Sequence, residues 1–472
     1  MIEDMRRFGW SLDELARACE AEVRGGELPG LIEAVGTDSR SLPPASLFVA
    51  LRGEHFDGHD FVQTAVEQGA QAILIDKGGA ADCATLEEFE VPVLVVEDTL
   101  QAYGDIAGYH RRSLARPVVA VTGSNGKTTT KELIAAALGP RGSVHKTQGN
   151  FNNLIGVPKT LLDWQGEEWG AVMEMGMSVP GEIARLSSMG APSVGVITNV
   201  AAAHLEGLGS LESVARAKGE LFERLPDNAV GVVNLDDPLI ASVCAPLLGK
   251  RDRLTFGEAA SADVRVCRFG STAAGLRVEL EVTGRILDLE LPLSGLHNAY
   301  NCAAAVASCV ALGSTLDSIQ EGITGVKVPG SRLRLLRDLP VGVNVIDDTY
   351  NANPASMNAA FATLGELGEG VRRVAVLGEM FELGEQAAAL HESVGRDAAE
   401  RGVHGVLGFG EHAEESARGA QEGGAQGAAF EDIEALQETL CEGLLDDDWI
   451  LVKGSRGMRM ERIVQYLEGL EG

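Results

Sequence analysis

The run Gly123-Ser124-Asn125-Gly126-Lys127-Thr128-Thr129 has the residue types and spacing to hold a nucleotide phosphate. An apolar, β-branched run, Val118–Val121, precedes it, and a helix-forming run, Lys131–Leu138, follows. In a strand–turn–helix of this kind, backbone N–H groups of the turn and of the helix start point at phosphate oxygens. Lys127 adds a mobile positive charge, and the Thr128 hydroxyl is placed to reach Mg²⁺. The strict phosphate-loop pattern asks for a glycine five positions before Gly126, where Val121 stands. The strand–turn–helix context still makes an ordinary turn with a chance Gly-Lys-Thr the poorer reading.

Further polar residues fall where apolar runs end, which is where open parallel sheets build their sites. Glu174 closes the run ending at Met173 and is suited to hold Mg²⁺ through oxygen, with helix capping as the alternative. His204 follows the run Val194–Val200; ligand and structural histidine are both open to it. Lys218, by spacing alone, is a surface lysine pairing with Glu220 or Glu223. Asn150, Asn152 and Asn153 form a loop of neutral donors for a phosphate-bearing ligand, or an Asx-turn cluster. Ser39 and Arg40 lie beside a Pro-Pro turn, and Arg40 is able to form a bidentate phosphate contact. The stretch Asp347–Pro354 ends a strand with acids and asparagines, and Lys453-Gly454-Ser455-Arg456 ends another with cations suited to anion capture.

The elements that must position these residues alternate. Strands are expected at Ser46–Leu51, Ala72–Ile75 and Pro92–Val96, with helices at Asp60–Gln68 and Leu100–Arg112. Strands at Val118–Val121, Ala171–Met173, Val194–Val200 and Ala229–Asn234 alternate with helical runs, which predicts a parallel sheet covered on both faces. Leu276–Val282 and Ile286–Leu293 flank Thr283-Gly284 as an antiparallel hairpin, and His297–Leu312 returns to helix. A third unit has strands at Val343–Ile346, Val374–Leu377, Gly405–Phe409 and Trp449–Val452, and helices at Ser356–Leu367 and Leu390–Arg401. The Gly/Ala/Glu/Gln-rich segment Ala413–Ala429 has the weakest signal for regular structure.

The 472 residues carry a formal net charge of −30, which disfavours nucleic acid and anionic membranes as partners. No apolar run approaches the ~18 residues of a membrane span, and MIEDMRRFGW lacks the apolar core of a signal peptide, so a cytoplasmic protein is expected. Cys19, Cys83, Cys244, Cys267, Cys302, Cys309 and Cys441 form no C-x-x-C pair and read as buried core thiols.

Taken in order, TGSNGKTTTKE, GNFNN-IGVP, MEMGM, NVAAAHLEG-GS, AKGELF, GLHNAYN, DDTYNANPASM, LGEM-ELG and KGSRGMRME resemble the motifs of the Mur ligases from Asp38 to about Met460. The resemblance implies a three-domain α/β fold: a small N-terminal domain over 1–99 for a UDP-sugar, a central ATPase domain with a P-loop-type parallel sheet over 100–328, and a C-terminal Rossmann-like domain over 329–472. It implies an ATP-dependent amide ligase working through an acyl phosphate. The Asp-Asn-Pro-Arg run of the diaminopimelate-adding members is missing; Asn351-Ala352-Asn353-Pro354-Ala355 stands in the corresponding place. That favours the branch that joins D-alanyl-D-alanine to UDP-N-acetylmuramoyl-tripeptide in peptidoglycan precursor synthesis.

By the same resemblance, Gly123–Gly126, Lys127, Thr128 and Thr129 hold ATP phosphates. Thr128 and Glu174 hold one Mg²⁺, and His204 holds a second metal with Lys218 as a carbamate. Asn298 and Asn301 fall in the adenine pocket, with Arg332 and Asp348 near ribose and phosphate. Ser39, Arg40, Asn150, Asn152 and Asn153 face the UDP-sugar, and Lys453 and Ser455 the dipeptide or peptide stem. The resemblance thus replaces the surface reading of Lys218. A monomer is expected, with no nucleic-acid partner and no membrane insertion. The rivals are another amide ligase, such as a folylpolyglutamate synthase, and a nucleotide-dependent switch without ligation.

Overall fold

All five residues of the strand Val118–Thr122 are buried. Val118 and Ala120 pack into one core, and Val119 and Val121 into another. A strand covered on both faces has to be largely apolar, and Val118–Val121 is; Thr122 at its end satisfies its hydroxyl by donating to the Met175 carbonyl (2.8 Å). The structure is a computed structural model describing residues 9–27, 29–53, 55–82, 90–272, 275–326, 333–367 and 370–470.

Three sheets organise the chain. The central sheet has nine strands in the order Arg285–Leu291, Gly275–Val282, Val264–Thr272, Asp252–Gly257, Val230–Asn234, Val194–Ile197, Val118–Thr122, Gly170–Glu174, Val144–Lys146. Pairing is parallel from Val144–Lys146 to the start of Val264–Thr272 and antiparallel beyond. The expected hairpin is present, its turn residues Thr283 and Gly284 both left-handed (φ 49° and 80°), as a two-residue turn of the I′ type demands. The structure adds Val264–Thr272 to that hairpin as a third antiparallel strand.

The first sheet runs Glu22–Arg24, Val93–Val96, Ala72–Asp76, Ser46–Val49, Ala34–Gly36. The last runs Arg334–Leu336, Asn344–Asp348, Trp449–Lys453, Arg373–Gly378, Gly405–Phe409, Gln426–Phe430. Each has one antiparallel edge pair and is otherwise parallel. This is the three-domain α/β architecture that the alternation predicts.

Some local expectations are corrected. The strand expected over Val194–Val200 stops at Ile197, because the next residues turn to serve the phosphate loop. Ala413–Ala429 is regular: a helix over Ala413–Glu422 and a strand over Gln426–Phe430. Its small residues reflect close packing. A Cβ on Gly395 would stand 2.0 Å from the Ser416 carbonyl oxygen, and one on Gly419 would stand 1.9 Å from that of Glu392. Cys19, Cys244, Cys302 and Cys309 are buried, whereas Cys267, on the strand Val264–Thr272, and Cys441, on the helix Ile433–Glu442, are half-buried. Cys83 lies outside the described residues. No helix among the described residues is long and apolar enough to cross a membrane.

Candidate active site

The carboxyl ends of the central strands open onto a cavity of about 830 Å³. Val118–Thr122 lies between Gly170–Glu174 and Val194–Ile197, so the chain departs in both directions from the strand that feeds the loop. That is the crevice at which open α/β sheets bind ligands.

The loop is held in shape by its neighbours. Ser124 N–H donates to the Asn199 carbonyl (2.9 Å) and Asn125 N–H to Asn199 Oδ1 (2.9 Å). Thr198 Oγ1 and Asn199 Nδ2 donate to the Asn125 carbonyl (2.6 and 3.0 Å). Gly126 caps the helix Lys127–Leu138 with φ 80° and no side-chain cap bond, so no side chain of the cap competes for the helix's first N–H groups. Lys127 Nζ donates back to the Gly123 and Ser124 carbonyls (2.8 and 3.1 Å). Its ammonium is thus carried over the turn.

Thr128 Oγ1 donates to Glu174 Oε2 (2.7 Å), and Asn152 Nδ2 donates to Glu174 Oε1 (2.8 Å). Glu174 is only 2% exposed, and no ion pair involves it among the described residues. A carboxylate buried without a cation is costly. With the Thr128 hydroxyl beside it, Glu174 therefore fits a hard, oxygen-liking cation such as Mg²⁺.

Lys218 sits on the helix Leu211–Glu223 with its side chain buried, not on the surface. Burial pushes its amine well below the ordinary lysine range, and the charge of Lys127 adds to the shift. Glu220, the partner that spacing suggested, instead accepts from the Gly181 and Ala184 N–H groups.

The last unit closes the cavity. Asp348 and Lys453 are register partners on adjacent strands, and Lys453 Nζ donates to Asp348 Oδ2 (2.6 Å) and to the Asn351 carbonyl (2.8 Å). Ser455 Oγ accepts from Phe381 N–H (2.9 Å). Desolvation, with the Lys453 charge second, holds the half-buried His297 down to about 4, so its imidazole is neutral. The two units touch through side chains of the site itself. The amides of Asn125 and Asn353 bond each other reciprocally (3.2 and 2.8 Å), and His204 Nδ1 is hydrogen-bonded to the Glu382 carboxylate.

Three family models match the chain: the Mur ligase middle domain over residues 121–309, the Mur ligase glutamate ligase domain over 331–456, and the Mur ligase family catalytic domain over 31–111. The UDP-N-acetylmuramoyl-tripeptide--D-alanyl-D-alanine ligase of Escherichia coli (strain K12) is 39% identical over 461 residues, 97% of this chain and 98% of that relative. The chain belongs to the Mur ligase family. A crystal structure of MurF from Acinetobacter baumannii superposes with a TM-score of 0.90 at 32% identity, covering 98% of this chain and 99% of that one. MurF ligase from Thermotoga maritima in complex with ADP gives 0.80 at 30% identity, covering 92% and 97%.

In this Mur ligase chain, most of the residues singled out from the sequence meet at one cavity. Ser124–Thr129, Asn150, Asn152, Asn153, Glu174, His204, Asn298, Asn301, Asp348, Lys453 and Ser455 all line it. Gly123 and Lys218 are not on its wall; Gly123 lies against Thr198, whose Oγ1 would be 1.9 Å from an added Cβ. Asn153 also does what an Asx turn does, accepting from the Ile155 and Gly156 N–H groups (3.1 and 2.9 Å). Ser39 and Arg40 do not line the cavity. Ser39 is buried in the first unit, and Arg40 is exposed and paired with Asp38 (2.8 Å). Arg332 lies outside the described residues. Sequence reasoning gave no individual role to Thr198, Asn199, His297 or Glu382, and Asn353 entered only as part of the polar stretch Asp347–Pro354. Thr198 and Asn199 carried a local signal, polar residues closing an apolar strand; Glu382 lay in the motif LGEM-ELG, but its partner is 178 positions away.

Proposed function

We propose that this chain is an ATP-dependent ligase that joins D-alanyl-D-alanine to the terminal carboxylate of UDP-N-acetylmuramoyl-tripeptide, in the cytoplasmic synthesis of peptidoglycan precursor. The observation that carries the reading is the single cavity into which the Lys127 loop, the cation-seeking Glu174 and the last unit's Asp348, Lys453 and Ser455 all face. The near-full-length likeness to ligases of that name supports the choice of substrates.

The reaction runs in two steps. The peptide carboxylate attacks the γ-phosphorus of ATP, and ADP leaves, giving an acyl phosphate. The dipeptide amine then attacks the acyl carbon, and the tetrahedral intermediate collapses to the amide and inorganic phosphate. A carboxylate is a poor acyl donor, so phosphorylation installs the leaving group. Two anions have to meet in the first step, and stabilising the charge on the transferred group is the protein's main task. Lys127 and the N–H groups of Ser124–Thr128 hold the phosphates in this reading. Thr128 and Glu174 would hold one Mg²⁺, and His204 a second, with Lys218 as its carbamate. Bound Mg²⁺ neutralises phosphate charge so that the carboxylate can approach. A neutral amine is the form that adds CO₂, and the burial of Lys218 shifts its amine toward that form. Asn298 and Asn301 flank the adenine, Asp348 and Arg332 the ribose and phosphate. Lys453 and Ser455 meet the dipeptide or peptide stem, and Ser39, Arg40, Asn150, Asn152 and Asn153 the UDP-sugar.

ADP is expected to form only when the UDP-linked tripeptide and D-alanyl-D-alanine are both present, with the amide product seen by mass spectrometry. Turnover of a folate with glutamate instead would assign the chain to the rival ligases. Gly126→Ala is expected to weaken ATP binding at least ~10-fold by calorimetry, because only glycine accepts its left-handed backbone readily. An added Cβ there would stand 2.2 Å from Asn301 Oδ1 and dislodge that amide.

A further inference from the structure

We infer that Glu382 is a positioning residue for the cation site: from the last unit, it fixes the ring of His204 in the central unit, so that the site is fully ordered only when the two units are docked. This rests on the reading of His204 as a metal ligand given above.

The hydrogen bond between the Glu382 carboxylate and His204 Nδ1 crosses from one unit to the other. It occupies Nδ1 and leaves Nε2 as the ring nitrogen with no hydrogen-bond partner among the described residues. A carboxylate on one imidazole nitrogen fixes the tautomer and ring orientation that the other needs to bind a metal. Both residues line the cavity. Both also have left-handed backbones, uncommon outside glycine and most so for glutamate, φ 58° for His204 and 63° for Glu382. Strain of this kind persists only where the surroundings enforce it.

The surroundings of Glu382 do so. Glu379 accepts from the His412 N–H (3.1 Å) and is also hydrogen-bonded to its Nδ1 (2.5 Å). Met380 N–H donates to His391 Nε2 (2.9 Å), and Phe381 N–H donates to Ser455 Oγ (2.9 Å). Three successive residues are thus tied into the last unit before the chain reaches Glu382. On the far side, Glu206 N–H donates to the Glu382 carbonyl (3.1 Å). The same short segment therefore touches Ser455 on one side and His204 on the other.

The test titrates Mn²⁺ into the full chain with a non-hydrolysable ATP analogue and follows free Mn²⁺ by electron paramagnetic resonance, so the readout is binding and not turnover. Wild type is expected to bind two ions. Glu382→Ala is expected to loosen the weaker one by about 10-fold or more, the usual cost of losing such a partner. Glu382→Gln, whose amide oxygen still accepts from Nδ1–H, is expected to stay within about three-fold of wild type. An Ala isotherm matching wild type, or Gln and Ala variants equally weakened, would overturn the positioning role. His204→Ala is the separate control. If it leaves both ions bound as tightly as in wild type, His204 is no ligand, and the reading beneath the inference fails instead.

Discussion

Lys127→Ala is expected to lower kcat by about 10³-fold or more while the protein stays folded. The figure follows from what one preorganised positive group contributes at a phosphoryl-transfer site. Here the ammonium is held over the turn by the Gly123 and Ser124 carbonyls, beside the loop that would receive the phosphate. The bonds lost include the half-buried contacts to the Gly123 and Ser124 carbonyls, and the helix behind them keeps its buried face of Leu133, Ile134, Ala137 and Leu138. The melting curve should therefore change little. A coupled ADP assay checks the rate, and calorimetry with an ATP analogue checks binding. Amide formation at the wild-type rate in Lys127→Ala would remove the foundation of the ligase reading.

Lys218→Ala is expected to lower turnover by at least ~100-fold, as loss of a metal-supporting group does, and to regain part of it with added formate or acetate. A short carboxylate in the vacated space offers the oxygens that a carbamate would. Full activity in Lys218→Ala would exclude the carbamate. Stability should move the other way in Lys218→Met, which keeps the chain's length and removes the amine. In CO₂-free buffer the native amine, pushed down by burial, holds fewer protons than the unfolded one. The unfolded state binds the proton more readily, so wild-type stability should rise with pH from the lowered native value up to the ordinary lysine range. Lys218→Met should lack that rise and melt higher than wild type at neutral pH, as buried ionisable groups replaced by apolar ones often do. A lower melting temperature for Lys218→Met, or a parallel pH profile, would mean that the amine is stabilised by a partner.

Much of the site was legible in the chain because local chemistry dictates it. A turn with φ of 148° and 80° at Gly123 and Gly126 demands glycine, and a run buried on both faces demands an unbroken apolar stretch. Polar residues at the ends of such runs, Glu174, Asp348 and Lys453, could be picked out for the same reason. Lys218 could not. Its i,i+2 and i,i+5 acidic neighbours suggested a solvated face, and only the packing of its helix against Ile240–Leu248 and the sheet puts it inside. The small-residue segment Ala413–Glu422 misled in the opposite sense. Its glycine and alanine content looks like weak structure in one dimension and is close helix packing in three.

By itself, the sequence determined the phosphate loop, the alternation that yields three layered units, and the list of polar side chains at strand ends, since each depends on a few neighbouring residues and on backbone geometry. Tertiary structure alone decided which of those side chains meet. The Asn125–Asn353 and His204–Glu382 pairs join residues 228 and 178 positions apart. Contacts of that range are set by how whole sheets dock, and no periodicity or local preference along the chain encodes them.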